Sequence, residues 1–370
     1  MKSLILSCCI LFLPFFLSAQ YRIEAHLTGF DDGTVFYLKD IEADQVLDST
    51  VLKNKSFNFY GSFDDVPYAL WVYTIVGNQF YYCNLLMGNE HVVIKGAAKE
   101  MPYYISITGS GIQDTDNILR KKTAGFSVSR DSLVNIVVPL MNKDENPELQ
   151  KNIWNQIRKI DDTMDIIKRT FIDKNINSYA GLRQLFFYRF SLDSSTLHSL
   201  YNQLKTPFRE SRYAKTIATF LKVGMPLKTG EMSWNFKAID SSGKQYQLSD
   251  YKGQFVLINF STTYCGPCIL SKDELKAVAV KYENQLSLLT FNADASRSTW
   301  LAGIYRDQPS WPVLWDGNSG HSETVLKYGV QGYPTFVLID PDGKIVHRWS
   351  GYGKGSLLSV MENKMPKQNN

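Results

Sequence analysis

Residues 255–268 read FVLINFSTTYCGPC, an apolar run followed at once by two cysteines that are separated by Gly-Pro. A short apolar run of this kind predicts a buried β-strand, and Pro267 is typical of the first turn of a helix. Cys265 and Cys268 are therefore expected at a strand-to-helix junction. Two cysteines at this spacing can form half of a zinc site, a static disulfide or a redox centre.

A closed zinc site needs four ligands, and this pair supplies two of them. The five histidines are scattered along the chain: His26, His91, His198, His321 and His347. We therefore expect no metal site. A static disulfide stays open as the structural alternative.

The position of the pair predicts different roles for its two members. The free N–H groups and the dipole of a helix N-terminus stabilise a thiolate, so we expect a lowered pKa at Cys265. Cys268, one turn further along, is better shielded and close enough to attack a mixed disulfide on Cys265. Cys265 is thus the predicted nucleophile and Cys268 the resolving cysteine, and the C-x-x-C in a βαβ pattern favours redox activity.

Composition and charge exclude several classes of protein. The chain of 370 residues is 44% hydrophobic, 21% charged and 13% aromatic, which is typical of a globular protein with β structure. Its length predicts two or three domains. The net charge of +4 is spread without a Lys/Arg block, so nucleic acid is excluded as a partner.

The N-terminus has the pattern of a secretory signal. Lys2 precedes an apolar run from Leu4 to Leu17, and small residues follow it, which predicts a signal peptide over residues 1–19. A membrane anchor is the alternative, but ~14 apolar residues are short of the ~20 that span a bilayer. An exported protein keeps three cysteines, of which Cys83 lies outside the pair.

Three regions follow the signal. Residues 20–111 carry strand patterns and a predicted hairpin over YALWVYTIVGNQFYYCNLLM, which indicate an antiparallel β domain. Residues 112–222 repeat apolar positions at steps of three and four and predict a helical connector. Strands and helices alternate in residues 223–370, which predicts α/β structure with a parallel strand pair. The whole is a multidomain α+β protein.

Cys83 shares the strand parity of Tyr81 and Leu85, which is the expected buried face. A free buried cysteine behaves as a small hydrophobic residue. We therefore prefer an inert thiol at Cys83 to a third redox partner.

The chain from Val223 onward resembles the thioredoxin fold, and specifically the exported TlpA/ResA-like thiol-disulfide reductases. The resemblance is carried by VLINFSTTYCGPC and by YGVQGYPTFVLIDPDGKIV at residues 328–346. It implies a cis peptide bond before Pro334, an edge for the substrate chain at Tyr333 and Pro334, and no cofactor besides the redox-active Cys265–Cys268 disulfide.

The N-terminal part is similar to a β domain of unassigned role that often precedes a TlpA-like domain in exported proteins of the Bacteroidota. GFDDGTVFYLKD, VLDST and FNFYGSF carry this similarity. It implies the periplasm or cell envelope of a Gram-negative bacterium.

The active-site neighbours Tyr264, Gly266, Pro267 and Asn259 include departures from the family pattern. Asn259 stands where thioredoxin has a buried Asp, as is usual in TlpA-like relatives, and Asn cannot titrate. Ser271 replaces a Glu of ResA-type proteins, while Ser261 and Tyr264 replace Trp. The group that takes the proton is therefore not identified by the sequence.

Gly-Pro between the cysteines resembles the reducing thioredoxins, so the expected function is reduction of disulfides in envelope proteins. The resemblance implies that a membrane thiol-electron donor reduces the protein again, and apocytochrome c is one candidate substrate. Two alternatives stay open. One is a thiol peroxidase, although Ile258 stands where the peroxidase pattern P-x-x-x-T-x-x-C needs Pro. The other is a non-catalytic binding protein that uses the β domain, with the thioredoxin fold as a scaffold.

Overall fold

The computed structural model describes residues 20–366, apart from residues 44, 64–66 and 143–144, and only the backbone of residue 142. The predicted signal peptide lies outside the described residues. In the described part of the chain, no helix is long and apolar enough to cross a membrane.

The chain divides into two compact units. The first comprises the residues up to Ile41 together with Val46–Ile160, and the second comprises Glu42–Gln45 together with the residues from Asp161 onward. The predicted helical range 112–222 is thus shared between the units, and the predicted boundaries stay a prediction.

The N-terminal part folds into two four-stranded sheets, ordered β4-β1-β7-β8 and β3-β2-β5-β6. Their strands are β1 (Tyr21–Thr28), β2 (Val35–Asp40), β3 (Gln45–Val51), β4 (Ser56–Gly61), β5 (Tyr68–Val76), β6 (Gln79–Met87), β7 (His91–Ala97) and β8 (Ser106–Thr108). Alternate residues of each sheet face one shared apolar core, which includes Ile23, Phe59 and Val72. This is the period-2 pattern that predicted the strands.

The predicted hairpin is confirmed, because β5 and β6 pair antiparallel around Gly77 with Val72 opposite Cys83. Cys83 is fully buried, and burial raises the pKa of its thiol to about 12. The prediction of a buried position is therefore confirmed, and a thiol with this pKa is not nucleophilic at neutral pH.

The β domain is not purely antiparallel, which corrects the prediction at one strand pair. β1 pairs with β7 in parallel, with Ile23 opposite Val92. Parallel neighbours need a crossover connection, and here the strands between β1 and β7 supply it. Local turn signals predicted the hairpins but carried no information on this long-range pairing.

Two long helices follow, α1 (Gly111–Asn142) and α2 (Pro147–Asn175). Asn146 accepts the backbone N–H of Leu149 at 3.2 Å and so caps the start of α2 before Pro147. The predicted apolar stripe of α2 is confirmed, and its Ile153, Ile157 and Phe171 are buried.

The second unit continues with α3 (Tyr179–Tyr188), α4 (Ser194–Asn202) and α5 (Arg212–Val223). Each begins at a side chain that accepts a backbone N–H of the first turn, namely Ser178, Asp193 and Ser211. The core of these helices also contains Leu326, which is fully buried. The helices therefore share a core with the C-terminal part of the chain.

A five-stranded sheet of order β13-β12-β11-β14-β15 forms the centre of the C-terminal part. Its strands and the hairpin before it are β9 (Lys237–Ile239), β10 (Gln245–Gln247), β11 (Phe255–Ser261), β12 (Leu286–Asn292), β13 (Val313–Leu314), β14 (Thr335–Ile339) and β15 (Ile345–Ser350). The helices are α6 (Gly266–Leu270), α7 (Lys272–Lys281), α8 (Arg297–Asp307), α9 (Glu323–Lys327) and α10 (Ser356–Lys364). β11 pairs in parallel with β12 and antiparallel with β14.

Both faces of this sheet are covered, which explains why β11 is apolar at nearly every position. Ile258 and Phe260 belong to the core on one face, and Leu257 belongs to the core on the other. The α/β fold predicted for this region is confirmed.

Candidate active site

The two cysteines occupy the predicted strand-to-helix junction between β11 and α6. Cys265 is the N-cap residue of α6, and its Sγ accepts the backbone N–H of Cys268 at 3.2 Å. The two sulfurs form a disulfide, with the Cα atoms 5.2 Å apart. Cys265 is partly exposed, whereas Cys268 is only 4% exposed. A disulfide that approaches from solvent therefore meets Cys265 first.

The predicted neighbours of Cys265 form an exposed apolar rim. Gly266 and Pro267 are exposed at the start of α6, and Tyr264 is 59% exposed. Ile269 and Leu270 extend the rim along α6. Exposed apolar side chains around a reactive sulfur are suited to contact with a protein substrate.

Asn259 is buried on β11 and lines the same cavity as Cys268. Its amide nitrogen donates to the hydroxyl of Thr290 on β12 at 3.3 Å. Its Oδ1 has no hydrogen-bond partner among the described residues. A buried amide, which cannot titrate, thus occupies the position at which thioredoxin has a buried Asp.

The strand register brings Tyr333 and Pro334 to the edge of the sheet from which the chain leads to Cys265. Phe260 near the end of β11 is opposite Thr335 at the start of β14, so Pro334 lies beside the segment that leads to Cys265. The Tyr333–Pro334 peptide bond is cis, as the resemblance implied. Burial raises the pKa of Tyr333, to which Asp294 adds, while the nearby Arg189 acts in the opposite direction.

A buried carboxylate holds the loop before Cys265. Both oxygens of Asp294 accept the backbone N–H of Thr263 at 3.1 Å, and one also accepts the Thr263 hydroxyl at 2.5 Å. The side-chain amide of Asn292 donates to the same carboxylate at 2.7 Å. Asp294 is 8% exposed, so these are buried, charge-assisted hydrogen bonds.

Comparison with known proteins decides the family. Residues 222–364 match the Redoxin family, and residues 21–115 match a domain of unknown function, DUF4369. The thiol-disulfide oxidoreductase ResA of Bacillus thuringiensis subsp. konkukian is 30% identical over 126 residues, which cover 34% of this chain and 71% of that protein. ResA of Bacillus subtilis is 31% identical over 136 residues, covering 36% of this chain and 73% of that protein.

The chain belongs to the ResA-like thiol-disulfide oxidoreductases. A solved thiol-disulfide oxidoreductase from Bacteroides fragilis is 26% identical, with a TM-score of 0.33 over 36% of this chain and 99% of that chain. The sequence relatives confirm the predicted resemblance to TlpA/ResA-like proteins and the enzyme class, thiol-disulfide oxidoreductase.

In this oxidoreductase Arg306 and Gly303 complete the support of the active-site loop from α8. An Nη of Arg306 donates to the carbonyl of Thr263 at 2.8 Å. A Cβ at Gly303 would lie 2.4 Å from the Thr263 hydroxyl oxygen, so only glycine leaves room for the loop. Thr263 is thus hydrogen-bonded to Asp294 and Arg306 and packs closely against α8 at Gly303.

Sequence reasoning missed this support of the oxidoreductase active site. One signal was present for Asp294, because it follows β12, and the carboxyl ends of parallel neighbours meet at the same edge of a sheet. Arg306 and Gly303 showed no comparable signal, since their role depends on how α8 packs against the loop.

The helical segment also supplies a residue near the site. Arg189, at the end of α3, is 7% exposed and its guanidinium lies 3.9 Å from the ring centroid of Phe186 and 4.3 Å from that of Phe190. Burial lowers the pKa of Arg189 to about 10, and the nearby Tyr333 partly offsets this. Arg189 is therefore a buried cation whose charge acts on Tyr333, the residue before the cis proline.

Proposed function

We propose that the protein is an exported oxidoreductase that reduces disulfides of envelope proteins, with Cys265 as the nucleophile and Cys268 as the resolving cysteine. The unequal exposure of the two cysteine residues carries this proposal. Cys265 is the one that solvent and substrate reach, and the Cys268 N–H is directed at its sulfur. Such a hydrogen bond favours the thiolate form.

The reaction is a pair of thiol-disulfide exchanges. The Cys265 thiolate attacks one sulfur of the substrate disulfide, and the other substrate sulfur leaves as a thiolate. Cys268 then gives up its proton and attacks the Cys265 sulfur, which releases the second substrate sulfur and closes the Cys265–Cys268 disulfide. Two electrons pass from the protein to the substrate, and no cofactor besides the cysteine pair is needed.

The edge at Tyr333 and Pro334 is the proposed contact for the substrate backbone. It adjoins the segment before Cys265, and the apolar rim of Tyr264 and Leu270 offers further contact. These features suit an extended or partly unfolded client better than a small thiol.

The proposed compartment and partners follow from the signal pattern in residues 1–19 and from the family resemblance. In an oxidising compartment a reducing disulfide needs a source of electrons, for which we propose a membrane thiol-electron donor. The proposed clients are envelope proteins that carry a disulfide, with apocytochrome c as a candidate. Cell fractionation and N-terminal sequencing of the mature protein test export, and an unprocessed protein in the cytoplasm would refute it.

Trapping distinguishes the roles of the two cysteines. Cys268→Ser should accumulate mixed disulfides with clients, because Cys265 can attack but nothing resolves the product. Cys265→Ser, the matched control, should trap none. Trapping through Cys268 instead would reverse the assignment, and a Cys265→Ser/Cys268→Ser variant that keeps the cellular role would support a binding protein.

The reduction potential tests the direction of electron flow. After equilibration in dithiothreitol or glutathione buffers and thiol trapping, we expect a value near that of thioredoxin, about −270 mV. A value above about −150 mV would identify an oxidant instead.

A further inference from the structure

The Cys268 thiol must lose a proton in the resolving step, yet Asn259 and Ser271, beside the cysteine pair, are both neutral. Asn259 cannot titrate. The hydroxyl of Ser271 is fully buried and donates to the carbonyl of Cys268 at 2.9 Å. Other groups must therefore favour loss of the proton.

A cavity of about 60 Å³ adjoins Cys268 and Asn259, between the sheet and helices α7 and α8. Its polar lining includes Thr290, Asn292 and Lys272. One water needs roughly 10–15 Å³ of such volume and two or more polar partners, so the cavity has room for a few waters. Water in it can carry a proton away from the buried sulfur.

Cations outnumber carboxylates around this cavity. Its charged lining residues are Lys272, Lys276, Arg306 and Asp307, while β11, β12 and β13 contribute neutral side chains. Asp294 and Tyr264 lie outside the lining and interact electrostatically with Arg306. A field with this sign favours a thiolate over a thiol.

Asp307 is poorly suited to accept the proton itself. Arg306 donates to its two oxygens at 2.6 and 2.9 Å, and Lys272 forms an ion pair with it. Burial would raise the pKa of Asp307, but hydrogen bonds from Arg306 and Lys272 outweigh this and lower it. Asp307 is held as a carboxylate that orients the two cations.

Of the three cations in the lining, Lys272 is the most buried and the one closest to Cys268 in sequence. It follows Cys268 by four residues, its side chain is 22% exposed, and it lines the same cavity. It is also the first residue of α7, where the helix dipole disfavours positive charge. The helix dipole therefore does not account for a lysine at this position, whereas the ion pair with Asp307 stabilises it.

We propose that Lys272 stabilises the Cys268 thiolate across this cavity and so favours, by its charge, the loss of the Cys268 proton. The Cys268 proton passes to cavity water and from there to solvent, and the thiolate attacks the Cys265 sulfur. Lys272 is a positioning residue in this scheme, since it acts through Cys268 and touches no substrate. The inference rests on the proposed roles of the two cysteines.

The test follows both exchanges in one experiment. The purified, reduced protein is mixed with a chromogenic aromatic disulfide in a stopped-flow instrument, and release of the coloured thiolate is recorded between pH 5 and 10. The first phase reports attack by Cys265, and the second reports resolution by Cys268. In Lys272→Met we expect the midpoint of the second phase to rise by about one pH unit, so that resolution below that midpoint is about tenfold slower. The first phase should change less than twofold.

Three variants make the result decisive. Lys281→Met removes a lysine of the same helix that pairs with Glu362, and it should leave both phases unchanged. Lys272→Arg keeps the charge and should retain the wild-type midpoint, which also separates a charge effect from a folding defect. Asp307→Asn should not raise the midpoint, because it removes the counter-charge of Lys272.

An unchanged second-phase midpoint in Lys272→Met overturns the inference and leaves the proposed function intact. A second phase that slows in Asp307→Asn, with the first phase preserved, assigns the proton to Asp307 and also overturns it. Loss of the first phase in the wild-type protein would instead refute the proposed function.

Discussion

At the residue scale, the geometry of Cys265 depends on side chains that make no contact with its sulfur. Asp294 accepts two donors of Thr263, two residues before Cys265, and Trp315 donates to the Asp294 carbonyl at 2.9 Å. A buried carboxylate with several donors is stable only while all of them are in place. The loop and its carboxylate therefore act as one unit.

Asp294→Asn should destabilise the second unit by about 2 kcal/mol, because an amide nitrogen would face the N–H donors that the carboxylate accepts. It should also slow the first phase of the disulfide reaction, since the loop before Cys265 is released. Urea unfolding and the stopped-flow assay measure both effects. Asp342→Asn, at an exposed turn, is the matched control. Equal stability of the two variants would show that the Asp294 contacts are not important.

Gly303→Ala should lower stability by about 1–3 kcal/mol, although alanine is the better helix former. The added Cβ would collide with the Thr263 side chain, which Asp294 prevents from moving. Gly125→Ala is the control, because a Cβ at this exposed helical glycine would meet no close neighbour. This variant should gain up to about 1 kcal/mol of stability. Thermal unfolding of both variants measures these changes in stability. A Gly303→Ala variant more stable than the wild type would contradict the tight contact with Thr263.

At the element scale, one carboxylate joins α7 to the start of α10. Gly355 caps α10 without a side chain, and Glu274 of α7 accepts the backbone N–H groups of Gly355 and of Leu358, the latter at 3.2 Å. The Tyr352 hydroxyl donates to the same carboxylate at 2.6 Å. A side chain from another helix thus performs the capping that the local sequence lacks.

This capping makes stability depend on pH. Burial acts to raise the pKa of Glu274, but the hydrogen bonds from Tyr352 and the α10 backbone outweigh it and lower the pKa below its ordinary value of 4.5. The stabilisation is therefore fully present above pH 4.5 and is lost as the pH falls through the pKa of the folded state.

Glu274→Gln should cost about 1–2 kcal/mol at pH 7, and its difference from the wild type should narrow as the pH falls below about 4.5. Urea unfolding at pH 7 and at pH 3.5 measures this change. Glu362→Gln removes an exposed carboxylate that pairs with Lys281 and should show a much smaller effect at either pH. A pH-independent difference for Glu274→Gln would indicate that its packing, and not its charge, matters.

The elements also show what local patterns predict. In the β5–β6 hairpin and the β11-to-α6 junction, the apolar period and the turn or first-turn residues lie within a few positions, and both features were predicted. The parallel pairing of β1 with β7 and the capping of α10 by Glu274 join residues far apart in sequence. No single stretch contains such information.

At the scale of the whole molecule, the helical segment after residue 161 shares a compact unit with the oxidoreductase fold. Leu326 of α9 is fully buried in the core that α3, α4 and α5 form. Lys327 donates to the carbonyl of Val223 at 2.8 Å. The helices are thus part of the fold that carries the cysteines.

A fragment of residues 161–370 should unfold in one cooperative transition, whereas residues 223–370 alone should unfold at a lower denaturant concentration, because Leu326 and its neighbours lose their cover. Tryptophan fluorescence in urea compares the two fragments. Identical midpoints would show that the helices contribute nothing to the stability of the oxidoreductase fold.

The sequence alone determined the strand-to-helix position of Cys265 and Cys268 and the buried state of Cys83, while its resemblance to known proteins implied the family and the cis bond at Pro334. Each of these rests on a short motif or on a period that acts through neighbouring residues. Only the tertiary structure decided that Asp294, Gly303 and Arg306 hold the active-site loop and that Lys272 faces the Cys268 cavity. These residues come from α7, from α8 and from the loop after β12, and their contacts and charges act through space, so they meet only when the sheet and its helices are packed.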